Sequence, residues 1–339
     1  MELGIFDHLD RRDMPVDQFY EMRLRLLEKY DAAGFSAYHL AEHHATPLGM
    51  APVPAIFLAA ASQRTQRIRL GPCVYCLPLY EPLRLIEEIC KLDQLTRGRF
   101  DLGVGRGIVP YEMAYFNLHH LETEEIAHEV LDVVLQGLTN EVLDHRGPRY
   151  TYRKVPMVLR PYQHPHPPLW YGLGHLQGAE WAATNKVHSL TNAPAEASRP
   201  LFERYREVWA RKHGSTPLPK LGMTRHLVVA PADAEADALA RPAYATWYGN
   251  LTKLWRDFGA VPFRFARDWD EARQRGVAIG GSPSRVREAI ESHVAASTCT
   301  YLVFRVMFGS MTEAQAAASV DLFVAEVMPG VSALTPAGV

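Results

Sequence analysis

Phe35-Ser36-Ala37-Tyr38-His39-Leu40 is a short apolar run that stops at Ala41-Glu42-His43-His44. The run has the length and composition of a buried β-strand. Two adjacent imidazoles and a carboxylate directly after it put ionisable groups at a strand end. Histidine titrates near neutral pH, so it moves protons or presents a neutral nitrogen to a ligand. The plainer reading is one buried structural histidine beside one exposed one, and the rest of the chain decides between them.

Short apolar strands begin near Leu3, Ser36, Ile68 and Phe100, a spacing of 32 to 33 residues. Helical patterns lie between them. Phe19, Met22, Leu26, Leu27, Tyr30 and Ala33 follow helical spacing, and Gly34 suits the position after the last turn. Pro54 opens a second helix through Ser62. Pro82 opens a third, with Leu83, Ile86, Ile89, Cys90 and Leu95 on one face. This is the βαβ rhythm of a parallel sheet.

The beat resumes with strands at Pro168 to Leu173, Val187 to Leu190, Leu221 to Val229 and Thr300 to Val306. Helices are expected around Glu180 to Ala183, from Pro200 to His213 and from about Glu313 to Met328. Eight strands with helices between them predict an α/β fold, a (β/α)8 TIM barrel. A single domain over 1–330 with a C-terminal tail at 331–339 is expected. Two insertions break the beat, near 138–167 and 232–279. The second carries Tyr244, Trp247, Tyr248, Trp255, Phe258, Phe263, Phe265 and Trp269, read equally as a binding wall or a satellite core.

The 339 residues are 47% hydrophobic, enough for a large core, and the net charge of −2 gives no footprint for nucleic acid or anionic membrane. No apolar run reaches membrane-spanning length, and the N-terminus lacks the pattern of a secretory signal. Cys73, Cys76, Cys90 and Cys299 read as cytosolic thiols, so a cytoplasmic protein is expected. Cys73-Val74-Tyr75-Cys76 is a CxxC in form only, because positions i and i+3 of a strand face opposite ways. His164-Pro165-His166 lies in a proline-rich loop, and no metal site is expected there.

Chemistry in such barrels sits at the C-terminal ends of the strands. Collected there are Glu42, His43 and His44; Pro72 and Cys73; Gly103-Val104-Gly105-Arg106-Gly107; Gly172-Leu173-Gly174-His175-Leu176-Gln177-Gly178; and Arg305. Arg106 can fork onto a phosphate, and a glycine-rich loop leading into a helix offers free N–H groups to an anion. Neither stretch has the spacing of a P-loop or a dinucleotide fingerprint. A glycine turn with a surface arginine remains the plain alternative for 103–107. Arg305 is expected to pair with Glu42, with a substrate contact as the alternative.

Together, Ala41 to His44, Gly71 to Pro78, Leu92 to Phe100, Leu102 to Gly107, Gly281-Ser282-Pro283 and Ala325 to Pro329 resemble the bacterial luciferase-like, flavin-dependent monooxygenases. The resemblance spans roughly 1–330 and is most specific over 41–107. It implies a TIM barrel, usually dimeric, that takes reduced FMN from a separate reductase and uses O2 on a small or medium organic substrate. Carried over, His43 handles protons beside the flavin, and Arg106 contacts the FMN phosphate. Gly174, His175, Leu176, Gln177 and Gly178 form the loop for the phosphate and ribityl chain. Pro72-Cys73 marks a non-prolyl cis peptide behind the flavin ring.

Two departures stand out. Gly105 replaces the reactive cysteine of the luciferase alpha chain, and His175, Gln177 and Gly178 replace hydroxyls of its phosphate loop. The alternatives are an F420-dependent hydride-transfer enzyme of the same superfamily and a non-catalytic flavin-binding partner subunit.

Overall fold

In the computed structural model, residues 1–260 and 265–334 are described; Phe263 and residues 335–339 of the expected tail lie outside them. In chain order the strands are β1 (Glu2–Asp7), β2 (Ala37–Leu40), β3 (Arg69–Pro72), β4 (Tyr75–Cys76), β5 (Leu102–Gly105), β6 (Val142–Arg146), β7 (Thr151–Pro156), β8 (Leu169–Gly172), β9 (His188–Thr191), β10 (Leu221–Val229), β11 (Ala278–Gly281) and β12 (Tyr301–Arg305). The helices are α1 (Val16–Ala33), α2 (Pro54–Arg64), α3 (Pro82–Thr96), α4 (Pro110–Tyr115), α5 (Thr123–Thr139), α6 (Leu176–Thr184), α7 (Ala195–His213), α8 (Asp233–Asp257), α9 (Trp269–Gln274), α10 (Pro283–Ser297), α11 (Glu313–Leu322) and α12 (Met328–Ser332).

Parallel pairing runs β3-β2-β1-β12-β10-β9-β8-β5. Leu70 bridges Phe100 and joins β3 to β5, so these eight strands form the expected TIM barrel. The sequence patterns act as read in most places. α1 buries Phe19, Met22, Leu26, Leu27 and Tyr30, and Gly34 ends it at φ 86°. α3 opens at Pro82, with the Glu81 side chain accepting from Arg84 N. Leu95 is a correction: it is 42% exposed, because the 3.6-residue period puts Leu92, Asp93 and Thr96 on the buried face instead.

Strand three also ends early. Pairing with β2 stops at Pro72, the Cys73–Val74 peptide is cis, and β4 then pairs with β5. The insertions have regular structure. β6 and β7 make a hairpin, while 232–279 holds α8, α9 and the first residues of β11. β10 is long enough for three partners: Leu221 to Met223 pairs with β9. Gly222 to His226 pairs with β12, and His226 to Val229 pairs with β11.

Two cores result. One lies between strands and helices; the other fills the barrel with Phe6, Ala41, Trp170, Leu190, Tyr301 and Val303. A Cβ on Gly4 would lie 1.9 Å from the Tyr301 hydroxyl, so glycine makes room for that ring. His39 Nε2 lies 3.1 Å from the same hydroxyl, and His39 and His188 each pack 4.7 Å from Trp170. Burial pushes both histidines down to about 3, so they are neutral. This plug closes the lower barrel and leaves the upper end for a site.

Candidate active site

The loops at the C-terminal ends of the strands enclose a cavity of about 420 Å³. Phe6 and His8 come from β1 and its loop, His43 follows β2, and Cys73 and Val74 lie between β3 and β4. Gly105 and Arg106 come from the end of β5, Gly172, Gly174 and His175 from β8 and its loop, and Arg305 from β12. A second pocket of about 270 Å³ shares Gly105, Arg106, Tyr171 and His175, and adds Gln177 and Gly178.

His43 Nδ1 lies 3.0 Å from Glu112 Oε1, and both residues are buried. A carboxylate only accepts, so Nδ1 carries the proton and Nε2 is left for the cavity. Glu112 sits on α4, in the connection after β5. His8 stacks on His43 at 5.7 Å, and its Nδ1 accepts from the Trp247 indole at 3.4 Å. Burial, with Arg305 nearby, holds the His8 pKa well below the usual histidine range.

The expected Arg305–Glu42 pair does not form. Glu42 is saturated nearer home: Oε1 accepts from His44 at 2.8 Å, and Oε2 from Cys76 N at 3.1 Å and the Tyr80 hydroxyl at 2.8 Å. Arg305 instead lies over the Phe6 ring at 4.6 Å and donates from Nη2 to Asn192 Oδ1 at 2.6 Å.

The glycines divide into two kinds. A Cβ on Gly103 would meet Pro72 O at 2.0 Å, and one on Gly105 would meet Val74 Cγ2 at 2.7 Å. These two are glycine so that strands can approach, and the absence of a side chain at 105 has that cause. A Cβ on Gly172 or Gly174 would meet nothing within 4 Å, so both leave open space in the cavity wall.

His175 caps α6, its Nδ1 accepting from Gly178 N at 3.0 Å. That amide is committed to the cap, while the first-turn amides of Leu176 and Gln177 have no intrahelical acceptor. Arg106 is exposed and makes no hydrogen bond or ion pair among the described residues.

Three expectations need correction. Pro72 does not line the cavity: it ends β3 against Gly103, and the cis bond lies one residue later than Pro72–Cys73. The Leu176 side chain is 46% exposed and lines neither pocket. Among the described residues, the aromatic insertion lines neither pocket. Tyr244 and Trp247 pack around His226, with Trp269 against Tyr244 as a satellite core, while Phe258 stacks on Tyr111 of α4 at 4.4 Å. Cys73 and Cys76 are free thiols; burial raises Cys73 to about 12 and Cys76 well above the usual range. Among the described residues no His, Cys, Asp or Glu group is arranged to hold a metal ion, and no helix is long and apolar enough to cross a membrane.

Glu112, Asn192, Thr224 and Val74 were not singled out from sequence. Asn192 directly follows a strand, Val74 lies between two and Thr224 lies within one, whereas Glu112 on α4 carries no such signal. His8 follows β1 directly and was readable by the strand-end rule.

Comparison with known proteins fits this geometry. The y4wF protein of Sinorhizobium fredii is 36% identical over 314 residues, 92% of each chain. The oxygenase component of a flavin-dependent trigonelline monooxygenase from Acinetobacter baylyi is 24% identical, covering 75% of this chain and 74% of that one. The monooxygenase RslO1 from Streptomyces bottropensis superposes with a TM-score of 0.88 at 26% identity, over 97% of this chain and 99% of its own. The fold alone is shared with an FMN complex of the oxygenating constituent of 3,6-diketocamphane monooxygenase from Pseudomonas putida, at TM-score 0.82, 20% identity and 99% of each chain. It is also shared with an F420-dependent tetrahydromethanopterin reductase from Methanopyrus kandleri, at TM-score 0.70, 17% identity, 98% of this chain and 100% of that one. The family model of the luciferase-like monooxygenases matches residues 1–299, and the chain belongs to that family.

Proposed function

We propose that this chain is the oxygenase component of an FMN-dependent monooxygenase, acting with O2 on a small or medium organic substrate. One observation carries the reading: the cavity at the strand ends combines a carboxylate-held histidine, a glycine-lined wall and an unpaired cation on its rim. Reduced FMN, when bound, supplies the electrons that activate oxygen.

The residues present fit that group. Arg106 and the amides of Leu176 and Gln177 would hold its phosphate, with His175 and Gly178 shaping the turn. Gly172 and Gly174 leave the wall open to a ligand, and Cys73, Val74 and Gly105 bound the opposite side. His43 takes or gives a proton at Nε2, because Glu112 fixes the proton on Nδ1. The half-closed cavity limits water at that atom. A separate reductase delivers the flavin, the domain spans 1–330, and the chain works as a cytoplasmic homodimer. The partnered His43 together with an available Arg106 supports a catalytic chain over a stabilising partner subunit.

The test is an anaerobic titration of the purified chain with reduced FMN and, separately, with reduced F420. Reduced FMN binding the tighter of the two, with oxygenated product on adding O2 and a substrate panel, is expected. Binding of F420 alone overturns the reading in favour of hydride transfer.

A further inference from the structure

Two arginines are buried near the end of β1, and their surroundings differ. Arg23 is held by Asp7 at 3.3 Å and Asp10 at 3.2 Å. Those carboxylates are themselves bound by the Tyr38 hydroxyl and Gly309 N. Arg305 is 6% exposed and has no carboxylate partner among the described residues. Its Nε makes no hydrogen bond, and Nη2 reaches only the neutral amide of Asn192.

The neighbours add no acceptor to compensate. Arginine only donates, so the Asn192 atom facing Arg305 must be Oδ1, and that oxygen also accepts from the Thr224 hydroxyl. The Asn192 NH2 group is left as a further donor. His8 and His226, the imidazoles nearest in charge terms, are held neutral by burial. The two carboxylates that line the cavity, Glu42 and Glu112, are committed to His44, Cys76, Tyr80 and His43.

A buried guanidinium without a counter-charge is costly, so its ligand is to be sought in the cavity. We propose that Arg305 and Asn192 form an oxyanion-receiving floor that binds the electron-rich edge of the reduced flavin ring and favours the reduced over the oxidised cofactor. This rests on the flavin reading above. The cofactor rather than the substrate is taken as the source of that oxygen, because Arg305 and Asn192 share the cavity with Cys73, Gly105 and Gly174, the residues assigned to the flavin. A positive group at the edge where the hydroquinone carries its charge stabilises the reduced form. Arg106 and Arg305 line the same cavity, so one ligand can meet both cations.

The test compares Kd for reduced and oxidised FMN, both measured anaerobically, in the unaltered chain, Arg305→Met and Arg305→Lys. The unaltered chain is expected to prefer reduced FMN. Arg305→Met should lower that preference by about tenfold, as loss of one charge-assisted contact does, and lower the midpoint potential of bound FMN. Arg305→Lys should restore part of both. Thermal unfolding of flavin-free Arg305→Met should match or exceed that of the unaltered chain, whereas a purely structural arginine would leave a less stable protein. An unchanged preference in Arg305→Met overturns the inference alone. An unaltered chain that binds FMN in neither redox state overturns the flavin reading as well.

Discussion

His39 and Arg305 share one barrel interior, on β2 and β12. His39 belongs to the lower plug, where burial removes its charge and the Tyr301 hydroxyl and Trp170 ring occupy it. Arg305 belongs to the upper cavity, keeps its charge and, among the described residues, is held by a neutral amide and a ring. The difference separates polarity that the fold has satisfied from polarity it has left for a ligand. Low exposure alone would have classed the two residues together.

The largest expected effect breaks the lower half. Tyr301→Ala removes a fully buried ring seated against Gly4 and Trp170, and should cost about 3–5 kcal/mol in denaturant unfolding. The same change in the upper half should be felt in turnover instead. His43→Ala should lower oxygenated product per O2 consumed on the order of a hundredfold. Its unfolding midpoint should stay close to that of the unaltered chain. Glu112→Gln should give a smaller loss of the same kind, since the amide keeps a contact to Nδ1 but not the charge. Equal coupling ratios in all three proteins would remove His43 from the reaction.

Acid sharpens the contrast next. The folded pKa of His39 and His188 is about 3, below the unfolded value of 6.5. Their stabilising contribution is therefore present above pH 6.5 and is lost as pH falls from 6.5 towards 3. Each should add about 1.4 kcal/mol per pH unit to the slope of stability in that window. His39→Phe should flatten the slope by one proton, read from urea melts across pH 4 to 6.5. The smallest effect is at the exposed rim: Arg106→Ala should weaken FMN binding by about tenfold at low salt, and by less as salt rises.

The barrel was legible because strand and helix periods differ and recur along the chain. β11 was not, since Ala278-Ile279-Gly280-Gly281 is short and half glycine. The β6–β7 hairpin was missed because Thr151 to Pro156 leaves mostly exposed or half-buried residues, with little apolar alternation. In the site, His43, Cys73, Arg106 and the Gly174 loop were marked by their place after strands. Their partners were not: Glu112 is 69 residues from His43, and Asn192 is 113 from Arg305. Strand order brings such pairs together, and no local pattern announces them. The mistaken Arg305–Glu42 pairing shows the same limit, because Tyr80 and His44 had already filled Glu42.

One short helix links the second insertion to the cavity. On α4, Tyr111 stacks on Phe258 at the end of α8, and the next residue, Glu112, holds the histidine of the cavity. The insertion thus reaches the cavity histidine through one intermediary, while none of its described residues lines the cavity. A change on α8 can therefore reach Glu112 and His43 without touching the residues around Arg106 and Gly174.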